Sequence, residues 1–528
     1  VDLNSRYHER TSMAIGFASL SLAVFMLLHS GCATVGPDYG GVEPPPLNAG
    51  FLGDNAEGSV TQISSESTSG LDDALNLALA QQEHPADWSF LNDEYLPMLI
   101  ARSVRDNPSV DELTWRIQEA KSVVRIVSGQ ADPFADAFTT YERRKRSSNA
   151  QPFVASNGSP FHFFSLGVDS RWEIDIVGRI ARETEAAKAD YQATEEDLVN
   201  LRRVLAADIA RAYINLRLNQ ELLRQNQLNL KVQRDSIEEV EDRIEAGQVT
   251  RLDLVQLQSR IGLTESDQPI YEQGIQQSYN LIALLMGTTP SECEAYLLRP
   301  TSQLSPPPIS PEVPAELLRR RPDVRRSERE IAAACARIGV AKAEYYPRLS
   351  LLGTVSVDSR KVSNLLDYDS LVFAFGPGVT WNILSLGRIE AQVDIQKAQL
   401  KQAIARYRQS VLVAVSEVEN ALAAQGQQRR RIEILTQTVN DSGEAVELAR
   451  QQYGADKASL ERVVSNQRRL LRSSIELARA RADSATAAVD LFQALGGGDV
   501  RLTAWQQAVC GHSEPCGGQS TEYVSSGF

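Results

Sequence analysis

The stretch Trp172-Glu173-Ile174-Asp175-Ile176-Val177-Gly178-Arg179-Ile180 returns 209 positions later as Trp381-Asn382-Ile383-Leu384-Ser385-Leu386-Gly387-Arg388-Ile389. Holding that offset, Lys188 meets Lys397, Asp208 meets Glu417, Gln258 meets Gln467 and Gly287 meets Gly496. Upstream the offset becomes 214, so that Asn107-Pro108 meets Arg321-Pro322 and Pro133 meets Pro347. The five-residue change falls between Pro133 and Trp172. An ungapped register this long marks two copies of one unit, which sets the search for a fold at the level of the repeat.

Each unit reads alike. Helical spacing covers 109–130 and 323–345, and Pro133 and Pro347 end those helices, because proline cannot continue the hydrogen-bond ladder. Alternating, β-prone stretches follow at Phe134 to Arg144, Phe161 to Ile174, Leu349 to Val357 and Leu371 to Ile383. The loop from Ser147 to Pro160 contains the turn pair Asn157-Gly158. From Gly178 to Gly247 no proline occurs, and Ala, Leu, Glu, Arg and Gln dominate. A helix of about 68 residues is on the order of 100 Å long. The second copy repeats it from Gly387 to Asp456, and after Gly247 a shorter helix runs back towards Met286. No single soluble core buries such helices, so they pack as coiled-coil walls against each other and against other copies. Two isolated hairpins are marginal, and these need further strands to close.

The N-terminus has a different character. Arg6 and Arg10 precede an apolar run from Met13 to Leu28, which reads as a secretory signal over 1–31, with Met13 an alternative start. The run is about 16 residues, short of the roughly 20 a spanning helix needs. No later stretch is apolar enough for a transmembrane helix, so a membrane could be crossed only by a closed β-barrel. Ser30-Gly31-Cys32 resembles a bacterial lipobox with Cys32 as the lipidated mature start. His29 replaces the usual Leu, and ordinary cleavage nearby is the other reading. Cys335 sits in an Ala-rich helix as a small buried residue. Cys510 and Cys516 are a candidate disulfide in an oxidising compartment.

The net charge of −14 argues against a phosphate-backbone partner, so no nucleic acid is expected. The five His residues form no paired motif, no phosphate loop or nucleophile elbow occurs, and no metal or cofactor is expected. The chain reads as a non-enzyme without catalytic residues.

Four segments resemble the TolC-like outer-membrane factors, in particular the lipoprotein branch of nodulation-type (NodT-type) drug-efflux channels. Cys32-Ala33-Thr34-Val35-Gly36-Pro37-Asp38-Tyr39 looks like the mature start. Arg321-Pro322-Asp323-Val324-Arg325 with Glu328, followed by Ile338 to Ala343 and Tyr346-Pro347, resembles the family's most recognisable run. The two Trp-to-Gly-Arg-Ile segments are similar to its strand-to-helix junctions, centred on Gly178, Arg179, Gly387 and Arg388. Ala494-Leu495-Gly496-Gly497-Gly498 resembles its C-terminal signature, with Asp499 in place of the usual Trp.

The resemblance covers roughly 32–499 and implies a mainly α chain with a small β part: a long antiparallel coiled-coil α-barrel plus four strands per chain, internally duplicated, closing as a 12-stranded β-barrel in a trimer. It implies a passive outer-membrane, lipid-anchored duct of a tripartite efflux system, reaching into the periplasm. The expected partners are two further copies, a periplasmic membrane-fusion (adaptor) protein, an inner-membrane RND-type transporter and outer-membrane lipid. The layout is a signal (1–31), an extended linker (32–98), repeat 1 (99–300), a Pro-rich linker (301–316), repeat 2 (317–499) and a tail (500–528).

By the same resemblance the periplasmic gate lies where helices turn back at Gly247. There Asp253 matches a pore-lining carboxylate, and carboxylate rings favour cations. In the second copy Tyr453 fits, Asp456 replaces the turn glycine, and Arg462 stands where an acid is common. Asp456 as a simple turn residue and Arg462 as a solvated side chain are the competing reading. A duct for protein secretion, and a periplasmic coiled-coil scaffold, are the alternatives to drug efflux.

Overall fold

A computed structural model describes residues 34–41, 88–91, 93, 95–145, 159–292, 319–455 and 457–497. The expected signal, Cys32, the Asn157-Gly158 turn, Cys293, Asp456, Cys510 and Cys516 lie outside the described residues.

The first repeat comprises α1 (Leu96–Asp106), α2 (Pro108–Ser128), β1 (Phe134–Arg144), β2 (Phe161–Ile174), α3 (Arg179–Glu245) and α4 (Arg251–Leu285). The second comprises α5 (Pro322–Ala343), β3 (Arg348–Ser359), β4 (Leu371–Thr380), α6 (Arg388–Gly454) and α7 (Leu460–Ala494). The two long helices are each 67 residues and the two return helices each 35, so the duplication read from the Trp-to-Ile segments holds element by element. The prolines stand where the sequence placed them: Pro133 immediately before β1 and Pro347 immediately before β3.

The strands form one antiparallel sheet in the order β1-β2-β3-β4. β4 ends at Thr380, three residues short of the expected Ile383. Thr380 pairs with Arg348, and the next position on β3's side is Pro347, which has no N–H to extend the ladder. The segment expected to be an extended linker up to residue 98 includes a 3₁₀ turn at Trp88–Leu91 and the start of α1.

The chain divides into two compact units that cut across the repeats. One takes the described part of Val1–Glu43 with Ile117–Thr194 and Ser327–Tyr407, and so holds the sheet. The other takes the described parts of Pro44–Arg116, Glu195–Arg326 and Arg408–Phe528. The main apolar core lies in the second unit. There Trp88, Leu91, Leu96 and Leu99 pack with Ile209, Tyr213 and Leu216 of α3, Ile282 of α4 and Val489 of α7. Trp88 meets Phe492 edge to face, centroids 5.0 Å apart.

Candidate functional site

Strand alternation gives the sheet two unlike faces. The register places Val168, Val355 and Phe373 in one row, and Leu166, Val357 and Leu371 in another row of the same face. Of these, Leu166, Val168, Val355, Leu371 and Phe373 are exposed in the single chain, as is Phe375, and Val357 is half-buried. The opposite face carries Asp136, Asp169 and Thr354 in one row and Thr140, Ser165 and Asp358 in another. Thr354 Oγ1 donates to Asp169 at 2.7 Å and Ser165 Oγ to Asp358 at 2.7 Å. An apolar face beside a polar, hydrogen-bonded face is the pattern of a barrel wall between lipid and a watery lumen. β1 and β4 are the free edges of this sheet.

Below the sheet, both tryptophans of the duplicated segment do the same thing. Trp172 Nε1–H donates to the Ala131 carbonyl at 2.8 Å, and Trp381 Nε1–H donates to Tyr345 at 3.0 Å. Ala131 and Tyr345 are 214 apart, so the contact is duplicated with the chain. Indoles with one hydrogen-bonded edge suit a membrane–water boundary.

The two junction glycines share one backbone conformation. Gly178 and Gly387 have φ of +77° and +80°, a region where only glycine is free of Cβ strain. Their surroundings differ. A Cβ on Gly178 would stand 2.7 Å from Thr34 Cγ2, whereas one on Gly387 meets nothing. Arg179 binds Glu173 at 3.0 Å and Glu183 at 2.9 Å, while Arg388 is exposed.

The segment Thr34–Tyr39 accounts for that difference. Val35 N–H donates to Val177 at 3.0 Å. The buried Arg182 binds Asp38 and Glu185 and donates to the Val35 carbonyl. Gly36 lies so close to Gly339 that a Cβ would come within 2.5 Å. Cys335, buried as expected, donates from Sγ to the Pro37 carbonyl at 3.6 Å, and burial raises its thiol pKa. Tyr39 donates to Glu328 at 3.1 Å; burial and that carboxylate push its hydroxyl up to about 12. The strap formed by Thr34–Tyr39 is thus tied to the first junction and to α5. Sequence reading saw its residues only as a family-like start.

In the second unit the two helical turns close alike. Gly247 has φ +70°. Gln248 N–H donates to Arg243 at 2.9 Å, and in the second turn Lys457 N–H donates to Gln452 at 2.8 Å. Asp253 is half-buried, and its carboxylate accepts from Thr250 N–H at 3.0 Å and Thr250 Oγ1 at 2.8 Å. That is a helix-capping contact. Arg462 holds the equivalent position, cannot accept a hydrogen bond, and lies exposed. Tyr453 is buried against Ala449, Val463 and Leu460. The Arg243 guanidinium lies over its ring, 4.1 Å from the centroid. Leu460 also packs on the cluster of Val240, Leu257 and Val464, so the two turns share one apolar contact. The structure thus brings Tyr453 to the first copy's turn. Arg243, which the sequence reading did not single out, is the residue it meets. Its signal was its place in the last turn of α3, four residues before Gly247.

Among the described residues three arginines are buried: Arg182, met above, Arg203 and Arg321. Arg321 is held by both oxygens of Asp323, at 3.0 and 2.7 Å, by Glu417 at 2.7 Å and by the Ala494 carbonyl at 2.8 Å. Burial alone would raise the Asp323 pKa, but the Arg321 fork outweighs it and holds the carboxyl below its usual range.

The profile of the family described as Outer membrane efflux protein matches residues 99–288 and 313–497. The chain is similar to Outer membrane protein OprJ of Pseudomonas aeruginosa, 30% identical over 81% of this chain and 90% of that protein. It is similar to Toluene efflux pump outer membrane protein TtgI of Pseudomonas putida, 27% identical over 90% of this chain and 98% of that one. Among solved structures, the outer-membrane channel OprN superimposes with a TM-score of 0.75 at 27% identity, covering 88% of this chain and all of OprN.

Proposed function

This chain belongs to the outer membrane efflux protein family, and we propose that three copies of it close one passive duct in a tripartite efflux machine. It is an outer-membrane channel protein, and its relatives are channel proteins rather than enzymes. The observation that carries the duct reading is the sheet: four strands with one apolar face, one polar face and two free edges. In lipid every backbone N–H and C=O needs a partner, so free edges must close on other copies. Twelve strands in a three-fold ring satisfy them.

A duct performs no bond chemistry. Its work is shape, charge and gating. Asp136, Asp169 and Asp358 face the lumen, while Phe373 and Phe375 face lipid. The helices carry the passage through the periplasm towards an adaptor protein and an RND-type transporter, and small molecules are the cargo. Cys32 is proposed to carry an acyl chain that anchors the channel to the outer membrane. The division into signal, linker, two repeats and tail is proposed with it. At the tip, Asp253, Tyr453, Asp456 and Arg462 are proposed to hold the opening closed.

Conductance of the purified full chain in planar bilayers, alongside its native mass in detergent, tests this reading. Trimers with discrete conductance steps are expected. A monomer that leaves the bilayer silent overturns it.

A further inference from the structure

The apolar face of the sheet ends in a basic row. None of the strand residues on that face is acidic, and basic side chains come only at the end farthest from Trp172. There Arg143 of β1 pairs in register with His162 of β2. The β2–β3 register runs to Phe164 and Ser359. Lys361, two positions on, keeps an extended backbone, φ −130° and ψ 136°, and one more step of the same register sets it beside His162. All three side chains are exposed.

Aromatic rings mark the same level. Tyr141 lies against Phe164, centroids 4.9 Å apart, and stacks on His162, whose Nδ1 is 3.0 Å from its hydroxyl. Trp172 and His162 stand on the same side of β2, ten positions apart. At ~3.3 Å per residue that is about 33 Å along the strand. For a strand tilted by about 40° it is roughly 25 Å of height, which matches the apolar band that membrane barrels carry between two aromatic girdles. Trp172 therefore marks one girdle, and Tyr141, His162 and Phe164 the other. The helices leave the opposite end of the sheet, so the basic row falls among the headgroups of the outer leaflet.

The alternate positions at this end are already engaged. On the opposite face Arg144 binds Glu142 and lies over the Phe163 ring at 4.4 Å, and Arg360 lies over Phe161 at 4.8 Å. Arg143 and Lys361 are in no ion pair among the described residues. A row of unpaired cations at the rim of an apolar face suits a ligand that is anionic at one end and apolar along its length.

Resting on the barrel reading above, we propose that Arg143, His162 and Lys361 bind a phosphate of a phosphorylated, multiply acylated glycolipid in the outer leaflet. Its acyl chains lie along Leu166, Val168 and Phe373. Arg143 can take two phosphate oxygens in a fork, and Lys361 adds a point charge. A Tyr141 hydroxyl that donates to Nδ1 leaves His162 Nε2–H to donate to a third oxygen. Repeated around a three-fold barrel, the row holds the channel at one depth in the membrane.

The test is lipid retention by the purified full-chain trimer, read by native mass spectrometry. The probes are lipid A, lipid A with its phosphates removed, and phosphatidylglycerol. Lipid A should be retained and the other two washed out. The Arg143→Gln, Lys361→Gln double variant should retain roughly tenfold less lipid A, because each basic residue at an anionic membrane surface adds about fivefold in affinity. The Arg144→Gln, Arg360→Gln double variant loses the same charge from the other face and should retain lipid A as the wild type does. The comparison of lipids on the wild type decides the question even if a variant fails to assemble. Trimers that hold the dephosphorylated lipid or phosphatidylglycerol as well as lipid A overturn the site and leave the duct standing. So does an equal loss in both double variants, or no loss in the first. A wild-type chain without trimers removes both.

Discussion

Arg321 caps the end of α7 by donating Nη1–H to the Ala494 carbonyl at 2.8 Å, and the first repeat makes the same contact with a smaller side chain. There Asn107 donates Nδ2–H to the Leu285 carbonyl, also at 2.8 Å. Asn107 and Arg321 are 214 apart, Leu285 and Ala494 are 209 apart, and the glycines that follow, Gly287 and Gly496, have φ of +66° and +80°. A helix end leaves carbonyls without partners, and both repeats satisfy one by reaching from the start of the upstream helix. The second copy does so with a buried charge, which then needs Asp323 and Glu417.

Removing a partner of that charge should cost stability. Asp323→Asn leaves the Arg321 guanidinium with one carboxylate, and breaking a buried pair costs on the order of 3 kcal/mol. Thermal loss of helical circular dichroism in detergent should move to lower temperature. Arg321→Lys should recover little, since an ammonium cannot bind both Asp323 oxygens in a fork. An unchanged midpoint in Asp323→Asn would show that the cap is not needed.

The same pair makes stability depend on pH. The folded pKa of Asp323 lies below its unfolded value. Its contribution is therefore fully present above the unfolded carboxylate pKa of about 4 and disappears as pH falls through the lower folded value. Acid titration of the wild type and Asp323→Asn should show their midpoints converging below that range. A constant gap at all pH values would assign the effect to packing.

The strap should protect Cys335. Gly178→Ala pushes a Cβ into Thr34, while Gly387→Ala adds similar backbone strain, roughly 1 kcal/mol, with nothing to displace. With Cys293, Cys510 and Cys516 changed to Ser, maleimide labelling of Cys335 should accelerate in Gly178→Ala and in Arg182→Ala but not in Gly387→Ala. Equal rates in all three would mean the strap does not cover the thiol.

At the turns, Arg243→Ala should loosen the tip. A cation–π contact of this kind is worth about 0.5–2 kcal/mol, so a modest rise in single-channel conductance is expected. Tyr453→Phe keeps the ring face and should behave as wild type, whereas Tyr453→Ala should match Arg243→Ala. If both alanine variants conduct like the wild type, the turns are held by Leu460 and its neighbours alone. For the proposed pair at the tip, the Asp456→Ala, Arg462→Ala double variant should conduct more than either single one.

The sequence by itself determined the duplication, the two long proline-free helices, the four strand positions and the breaks at Pro133 and Pro347. These follow from properties the local chain carries: helix propensity, β alternation and the missing N–H of proline. The recurrence marked Gly178 and Gly387 and the resemblance marked Gly247, and the structure gave all three a positive φ. The fate of charged side chains lay beyond it. Arg182 and Ala391 hold equivalent places in the two repeats, yet only the first is covered, because a strap about 145 residues earlier in the chain docks there and nothing in the local sequence says so. Asp253 and Arg462 are likewise equivalent, but one closes a capping contact with Thr250 and the other is left in solvent, since only a carboxylate can accept. The meeting of Arg243 with Tyr453, some two hundred positions apart, and the alignment of strand side chains into one apolar and one polar face across the sheet, required the tertiary structure. Burial is set by what packs from elsewhere in the chain, and strand register by pairing across it, neither of which a single segment contains.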